Sequence, residues 1–209
     1  MLTPTTIREF DRTAPDRDET ETATFALGCF WGPDARFGAM DGVVRTRVGY
    51  AGGTKPNPTY HALGNHTEAF QVDYDPEALS YADLLEVVFE RHDPNHQTRK
   101  KQYQNAVFCG TKTQREAVET YLEADGRSAD AIETRIERLS RFYLAESYHQ
   151  KYNLGSRPSL LEPFEEAGYG DEELRESPTA AKLNAHAAGY DIPDEHELAA
   201  ALDRTVSGR

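Results

Sequence analysis

The chain has 209 residues, with 23 Lys and Arg against 36 Asp and Glu, so its formal charge is −13 with histidine neutral. That length points to one main domain, and 38% hydrophobic with 10% aromatic residues is enough apolar material for a core. Net acidity argues against a nucleic-acid binder, whose phosphate contacts need surplus cations, and no run approaches 18 apolar residues, which argues against a membrane span.

The acidity sits at the ends. Residues 1–22 hold six acids and three bases and residues 160–209 hold twelve acids and four bases, which leaves 23–159 nearly neutral. Only six cations are lysine and 17 are arginine. An acidic, lysine-poor surface suits solubility in concentrated salt, where self-repulsion is screened. Met1 to Asp16 has no apolar stretch of the secretory kind, so the expected location is the cytoplasm. Two cysteines without CxxC spacing, Cys29 and Cys109, supply neither a disulfide scaffold nor a zinc site.

In chain order, the Thr-, Asp- and Pro-rich segment 1–22 reads as a mobile acidic arm. Ala23 to Gly28 is a short apolar run expected to form a buried strand, and Cys29 stands where a helix over Asp34 to Met40 begins. Val43 to Tyr50 alternates apolar residues with arginine and reads as a second strand, followed by a Gly- and Pro-marked loop. Glu68 to Asp75 is a third strand. Ser80 and Asp83 form a capping-box start for a helix with Leu84, Leu85, Val88 and Phe89 on one stripe. Asn105 to Cys109 is a fourth strand, Thr113 to Asp125 a helix ended by Gly126, Ile132 to Glu137 a further strand and Phe142 to Asn153 an aromatic-rich helix. The order β-α-β-β-α-β predicts an α+β, ferredoxin-like sandwich over 23–158, with additional helices. An acidic C-terminal extension over 159–209 follows, with helix-capable runs at Ala180 to Ala188 and Glu195 to Leu202.

A cysteine at a helix start feels unpaired backbone N–H groups and the positive end of the helix dipole, which favour the nucleophilic thiolate. Gly28 and Gly32 leave its sulfur accessible, and Phe30 and Trp31 are placed to wall an apolar pocket. A lone cysteine is also compatible with a small buried hydrophobe. His92 and His96 have the i, i+4 spacing of a metal pair, but Pro94 between them breaks the helix that spacing needs, and no metal site is expected.

Gly28-Cys29-Phe30-Trp31-Gly32 resembles the GCFWG signature of the A-type methionine sulfoxide reductases. Val48-Gly49-Tyr50-Ala51-Gly52-Gly53, Asn57-Pro58-Thr59-Tyr60, His66-Thr67-Glu68, His92-Asp93-Pro94, Gln102-Tyr103 and Ala145-Glu146-Ser147-Tyr148-His149-Gln150 are similar to further blocks of that family, in its order, over about Thr24 to Tyr152. The resemblance implies an oxidoreductase that repairs oxidised proteins by reducing the S epimer of methionine sulfoxide, protein-bound or free. Cys29 is then the nucleophile that becomes a sulfenic acid, and Phe30 and Trp31 hold the substrate's ε-methyl. Glu68 protonates the sulfoxide oxygen, Tyr50 and Tyr103 hydrogen-bond it, and Asp93 orders the network. A carboxyl kept neutral in an apolar site suits that acid role, and phenols donate without titrating near pH 7. His66 and His149 are read as structural hydrogen-bonding groups.

Two departures from the family pattern stand out. Only nine residues separate Asp93 from Tyr103, where a longer glycine-containing loop is more usual, and Thr98-Arg99-Lys100-Lys101 is unusually basic. The C-terminal extension also lacks the resolving cysteines that many members carry. Cys109 is the one internal candidate for that role, and its place in a strand favours burial. With no bound cofactor expected, regeneration falls to an external thiol, thioredoxin or a small dithiol.

Overall fold

The computed structural model describes residues 2–192 together with Leu198, Ala200 and Leu202. Six strands form one sheet in the order β5-β4-β1-β3-β2-β6: β1 Glu21–Ala26, β2 Val43–Ala51, β3 Thr67–Tyr74, β4 Ala106–Cys109, β5 Arg135–Arg138 and β6 Tyr143–Leu144. With α2 (Trp31–Gly38) and α3 (Tyr81–Glu90), the inner strands β4-β1-β3-β2 make the expected βαββαβ core, antiparallel throughout. β5 adds parallel to β4, and β6 pairs with the outer edge of β2. The capping box forms as its residues dictate: Ser80 Oγ accepts from the Asp83 N–H and Asp83 accepts from the Ser80 N–H. α3 and α4 (Lys112–Ala124) cover one face and share the main core with Phe25, Phe37, Phe70 and Val72.

The alternation of β2 marks no wet face. All nine residues of the strand are buried, because the chain's ends cover the arginine side. Arg47 pairs with Asp73 and, at 2.9 Å, with Glu176 of α7 (Asp171–Glu176), while Arg45 donates to the Pro15 carbonyl at 3.0 Å.

The reading of 1–22 as a mobile arm is corrected by the same cover. Pro4–Thr13 forms α1, with Thr3 capping the Thr6 N–H and Pro4 in the first turn. Ile7 and Leu2 are buried in a second core with Leu154, Phe164, Ala180, Leu183, Ile192, Leu198 and Leu202. Polar contacts fix the same helix: Arg8 donates to Ala167 O at 2.6 Å, and Asp11 accepts from the Thr179 N–H and Tyr169 hydroxyl. The partners come from α5 (Tyr152–Gly155), α6 (Pro158–Glu166) with the turn after it, and α8 (Pro178–Ala187) with residues beyond it. The helical run expected at Ala180 to Ala188 lies within α8; that at Glu195 to Leu202 lies outside the described residues except for Leu198, Ala200 and Leu202.

The helix expected over Phe142 to Asn153 is absent. β6, a 3-10 turn at Ser147–His149 and the start of α5 replace it, and Lys151 adopts a left-handed backbone at φ 50° that interrupts any helix. Side chains hold the segment to β2 instead: the Gln150 amide bonds both the N–H and the carbonyl of Val48, and the buried Lys151 amine donates to Thr46 O.

α8 also seats α2. Asn184 of α8 donates to Asp34 at 2.8 Å and accepts from the Asn153 and Leu154 N–H groups. A Cβ on Gly38 would lie 2.6 Å from Ala181 O, so only glycine permits this approach of the two helices. Gly38→Ala is expected to cost about 1–3 kcal/mol, read as a lowered urea midpoint at unchanged slope.

Candidate active site

Leu27, Gly28 and Cys29 link β1 to α2, and Gly28 makes the turn at φ +76°. Cys29 is exposed at its tip. Phe30, the N-cap of α2, is buried, and its N–H donates to Glu68 Oε2 at 3.2 Å. Glu68 projects from β3, opposite Tyr50 of β2, and is 1% exposed. Its other oxygen accepts from Gln102 Nε2 at 2.7 Å. Burial raises the Glu68 carboxyl above the ordinary range, opposed by these two hydrogen bonds and by the charge of Lys100.

The expectation of a thiolate-favouring helix start is reversed for the resting site. Loss of solvent around the sulfur raises the Cys29 thiol, and the nearby Glu68 charge adds to this; a hydrogen bond from the Trp31 N–H opposes it. Glu68 and Cys29 therefore share a site in which charge on one disfavours charge on the other.

Aromatic rings wall the pocket. Phe30 lies 6.1 Å from the Tyr50 ring and 5.2 Å from His149, and Trp31 stacks on Tyr152 at 3.6 Å and 5°. His149 also contacts Tyr60 and Tyr148. The reading of His149 as a hydrogen-bonding group is corrected, since among the described residues neither buried ring nitrogen has a hydrogen-bond partner, Glu146 Oε2 standing 4.0 Å from Nε2, and the ring packs as a wedge. Burial lowers its pKa, which keeps it neutral. His66 does bond as expected: Nδ1 accepts from the Gly53 N–H at 3.2 Å, so Nε2 donates to Lys55 O at 2.8 Å.

The two tyrosines differ. The Tyr50 hydroxyl donates to Glu146 Oε2 at 2.7 Å, and burial plus that carboxylate push its pKa upward. Its one proton is thus committed to Glu146, whose other oxygen accepts from the Tyr60 N–H. Tyr103, on a 3-10 turn at Lys101–Tyr103, shares a hydrogen bond with the Tyr60 hydroxyl, which pushes it up to about 12, and it feels the charges of Glu68 and Cys29. Two hydroxyls in one mutual bond leave one proton free to donate.

Asp93 does not join this group. It is exposed and accepts from the Asn95 N–H at 2.9 Å, in a turn whose Pro94 carbonyl bonds Glu133 and Thr134 beside β5. Gln102, Glu146 and Tyr60 take the ordering contacts assigned to it. Their signal in the sequence was only their place in the family-like blocks, because the partners lie 34 and 86 or more residues away.

Cys109 is likewise distant. It lies one residue beyond the Thr24–Phe108 pair, toward the start of β1, whereas Cys29 follows Ala26 at the other end. The intervening strand alone spans about 10 Å, beyond disulfide reach, and Cys109 is buried in the main core. Among the described residues no cluster of His, Cys, Asp and Glu fits a metal ion.

A family model described as peptide methionine sulfoxide reductase matches residues 21–166. The chain belongs to that family, in its A-type branch. The reductase is 42% identical over 184 residues to peptide methionine sulfoxide reductase A5 of Oryza sativa subsp. japonica, covering 84% of this chain and 71% of that one. It is 46% identical over 145 residues to the MsrA of Natronomonas pharaonis, covering 64% and 82%. Among solved structures it is similar to methionine sulfoxide reductase A of Corynebacterium diphtheriae, at TM-score 0.56 and 36% identity, covering 67% of this chain and 76% of that one. It is also similar to reduced Mxr1 of Saccharomyces cerevisiae, at TM-score 0.56 and 28% identity, covering 70% and 91%. The reductase is an oxidoreductase that reduces methionine sulfoxide at the expense of thiols, the activity by which oxidised proteins are repaired.

Proposed function

We propose that the reductase acts on the S epimer of methionine sulfoxide with Cys29 as nucleophile and Glu68 as acid, in a cycle that uses one protein thiol. The observation that carries this reading is the buried Glu68 carboxyl bonded to the Phe30 N–H, one residue from Cys29. Phe30 and Trp31 hold the substrate's methyl group. The Cys29 sulfur attacks the sulfoxide sulfur while the oxygen takes a proton through Glu68, with the free hydroxyl proton of the Tyr103–Tyr60 pair bonded to that oxygen. Tyr50, held by Glu146, orients the wall. The proton comes from the thiol, so the balance is Cys29–SH plus sulfoxide giving Cys29–SOH plus thioether, one oxygen atom and two electrons being exchanged. An outside thiol then displaces water from Cys29–SOH to form a mixed disulfide, and a second thiol releases Cys29–SH.

Thioredoxin or a small dithiol fits as reductant, since the exposed Cys29 is open to an outside sulfur and Cys109 is not within reach. A reducing cytoplasm suits two free cysteines. Oxidised proteins are the expected substrates under oxidative stress. No helix among the described residues is long and apolar enough to cross a membrane, and the acidity leaves nucleic acid an unsuitable partner.

The test is the intact mass after one turnover with an S-sulfoxide and dimedone, without reductant. One dimedone adduct, mapped to Cys29, is expected. Loss of two mass units without an adduct would overturn the single-thiol cycle.

A further inference from the structure

One rim of the pocket, across from the Glu146 carboxylate that holds Tyr50 and Tyr60, carries a basic run in an acidic molecule. Acids outnumber bases 36 to 23, yet Arg99, Lys100 and Lys101 form no ion pair among the described residues, while Lys112, Arg115 and Arg127 each hold a carboxylate. This run stands where the family more usually has a longer glycine-containing loop.

The backbone that carries these charges is held by the turn that sets the site. The Tyr103 N–H donates to Lys100 O at 2.9 Å, and Thr67 Oγ1 donates to Lys101 O at 3.0 Å. The Lys100 ammonium lies 4.5 Å from the centre of the Tyr103 ring, and Lys101 donates to Gly52 O. Gln102, the next residue, is the amide bonded to Glu68. A cation resting on Tyr103 therefore sits within about two residue spacings of an oxygen bonded to the Tyr103 hydroxyl, near the path of the residues flanking an oxidised methionine. Arg99 and Lys100 are both exposed and open to an incoming carboxylate.

On the reading that Cys29 and Tyr103 form the reacting site, we propose that Arg99 and Lys100 are a specificity-determining pair: they favour polypeptides in which the oxidised methionine has Asp or Glu within two residues. The attraction acts in binding and encounter, so it lowers KM and leaves kcat nearly unchanged.

The test compares blocked pentapeptides with a central methionine S-sulfoxide flanked by Glu, Ala or Lys, reduced with dithiothreitol. At low salt the Glu-flanked peptide is expected to exceed the Lys-flanked one in kcat/KM by about fivefold or more, in the KM term. In 1 M salt, where the screening length is about 3 Å, the ratio is expected to approach one. In Arg99→Glu/Lys100→Glu it is expected to invert. The ratio is the readout because the Lys100 charge also acts on Glu68 and alters all peptides alike. Equal kcat/KM for the three peptides, or a ratio unchanged in the double variant, would overturn the proposal. Failure to turn over even the Ala-flanked peptide would instead sink the assignment of the reacting site, and this proposal with it.

Discussion

Cys29→Ser is expected to abolish sulfoxide reduction, lowering kcat/KM by about 10⁴-fold or more. A serine hydroxyl ionises far above the working range, and a carboxylate such as Glu68 is too weak a base to remove its proton. Oxygen also forms no stable counterpart of the sulfenic acid, so the first half-reaction has no product. The variant should fold as the parent does, because the Cys29 side chain is exposed. Turnover of an S-sulfoxide with dithiothreitol, alongside matched urea unfolding curves, checks this. Activity within tenfold of the parent would remove Cys29 from the reaction.

Glu68→Gln is expected to lower kcat by about 10²- to 10⁴-fold with KM changed little, since a glutamine supplies no proton to the departing oxygen. Its pH behaviour carries the sign. Glu68 is raised, so its acid form survives to higher pH than an ordinary carboxyl and is lost as pH rises through that value. Cys29 is raised too, so its thiolate is gained only as pH rises further. Between the two values the pair holds one proton, mostly on sulfur, and the reactive arrangement with that proton on Glu68 is a minor form of the same total charge. The parent rate is therefore expected to be flat across this interval and to fall on both sides. In Glu68→Gln the carboxylate that disfavours the thiolate is gone, so alkylation of Cys29 by iodoacetamide should rise at lower pH than in the parent. A variant with full kcat, or with an unmoved alkylation profile, would defeat the acid assignment.

What was legible in the sequence is what short-range pattern controls. The apolar run ending in Gly28, the capping box at Ser80 and Asp83 and the strand alternations place Cys29 at the β1–α2 junction, and together they order the βαββαβ core. The family-like blocks brought Glu68, Tyr50 and Tyr103 to the same neighbourhood, as the geometry has them. The misreadings share a long-range cause. Thr3 and Pro4 start α1, but the core that covers its one buried apolar side chain, Ile7, is built mostly from segments more than 140 residues on. Lys151 and Gln150 turn the 142–153 segment away from a helix by reaching back to Thr46 and Val48. Asp93 stood beside a familiar histidine, yet the turn through Pro94 points it to solvent while Gln102 takes the place next to Glu68. The thiol's direction failed for a different reason: a helix of eight residues offers about 1 kcal/mol or less to an anion near its start, less than the loss of solvent and the neighbouring carboxylate take away.

The second core, drawn from both ends of the chain, governs the order in which the molecule matures. At 5–20 residues per second a ribosome needs about 10–30 s between releasing α1 and releasing α8. Through that interval Ile7 lacks the cover of Ala180 and Leu183, the Gly38 face of α2 is bare and Asp34 lacks Asn184. The helix behind Cys29 is seated by an element made about 140 residues after it, so Cys29 acquires its surroundings only once α8 has followed the sheet out of the ribosome.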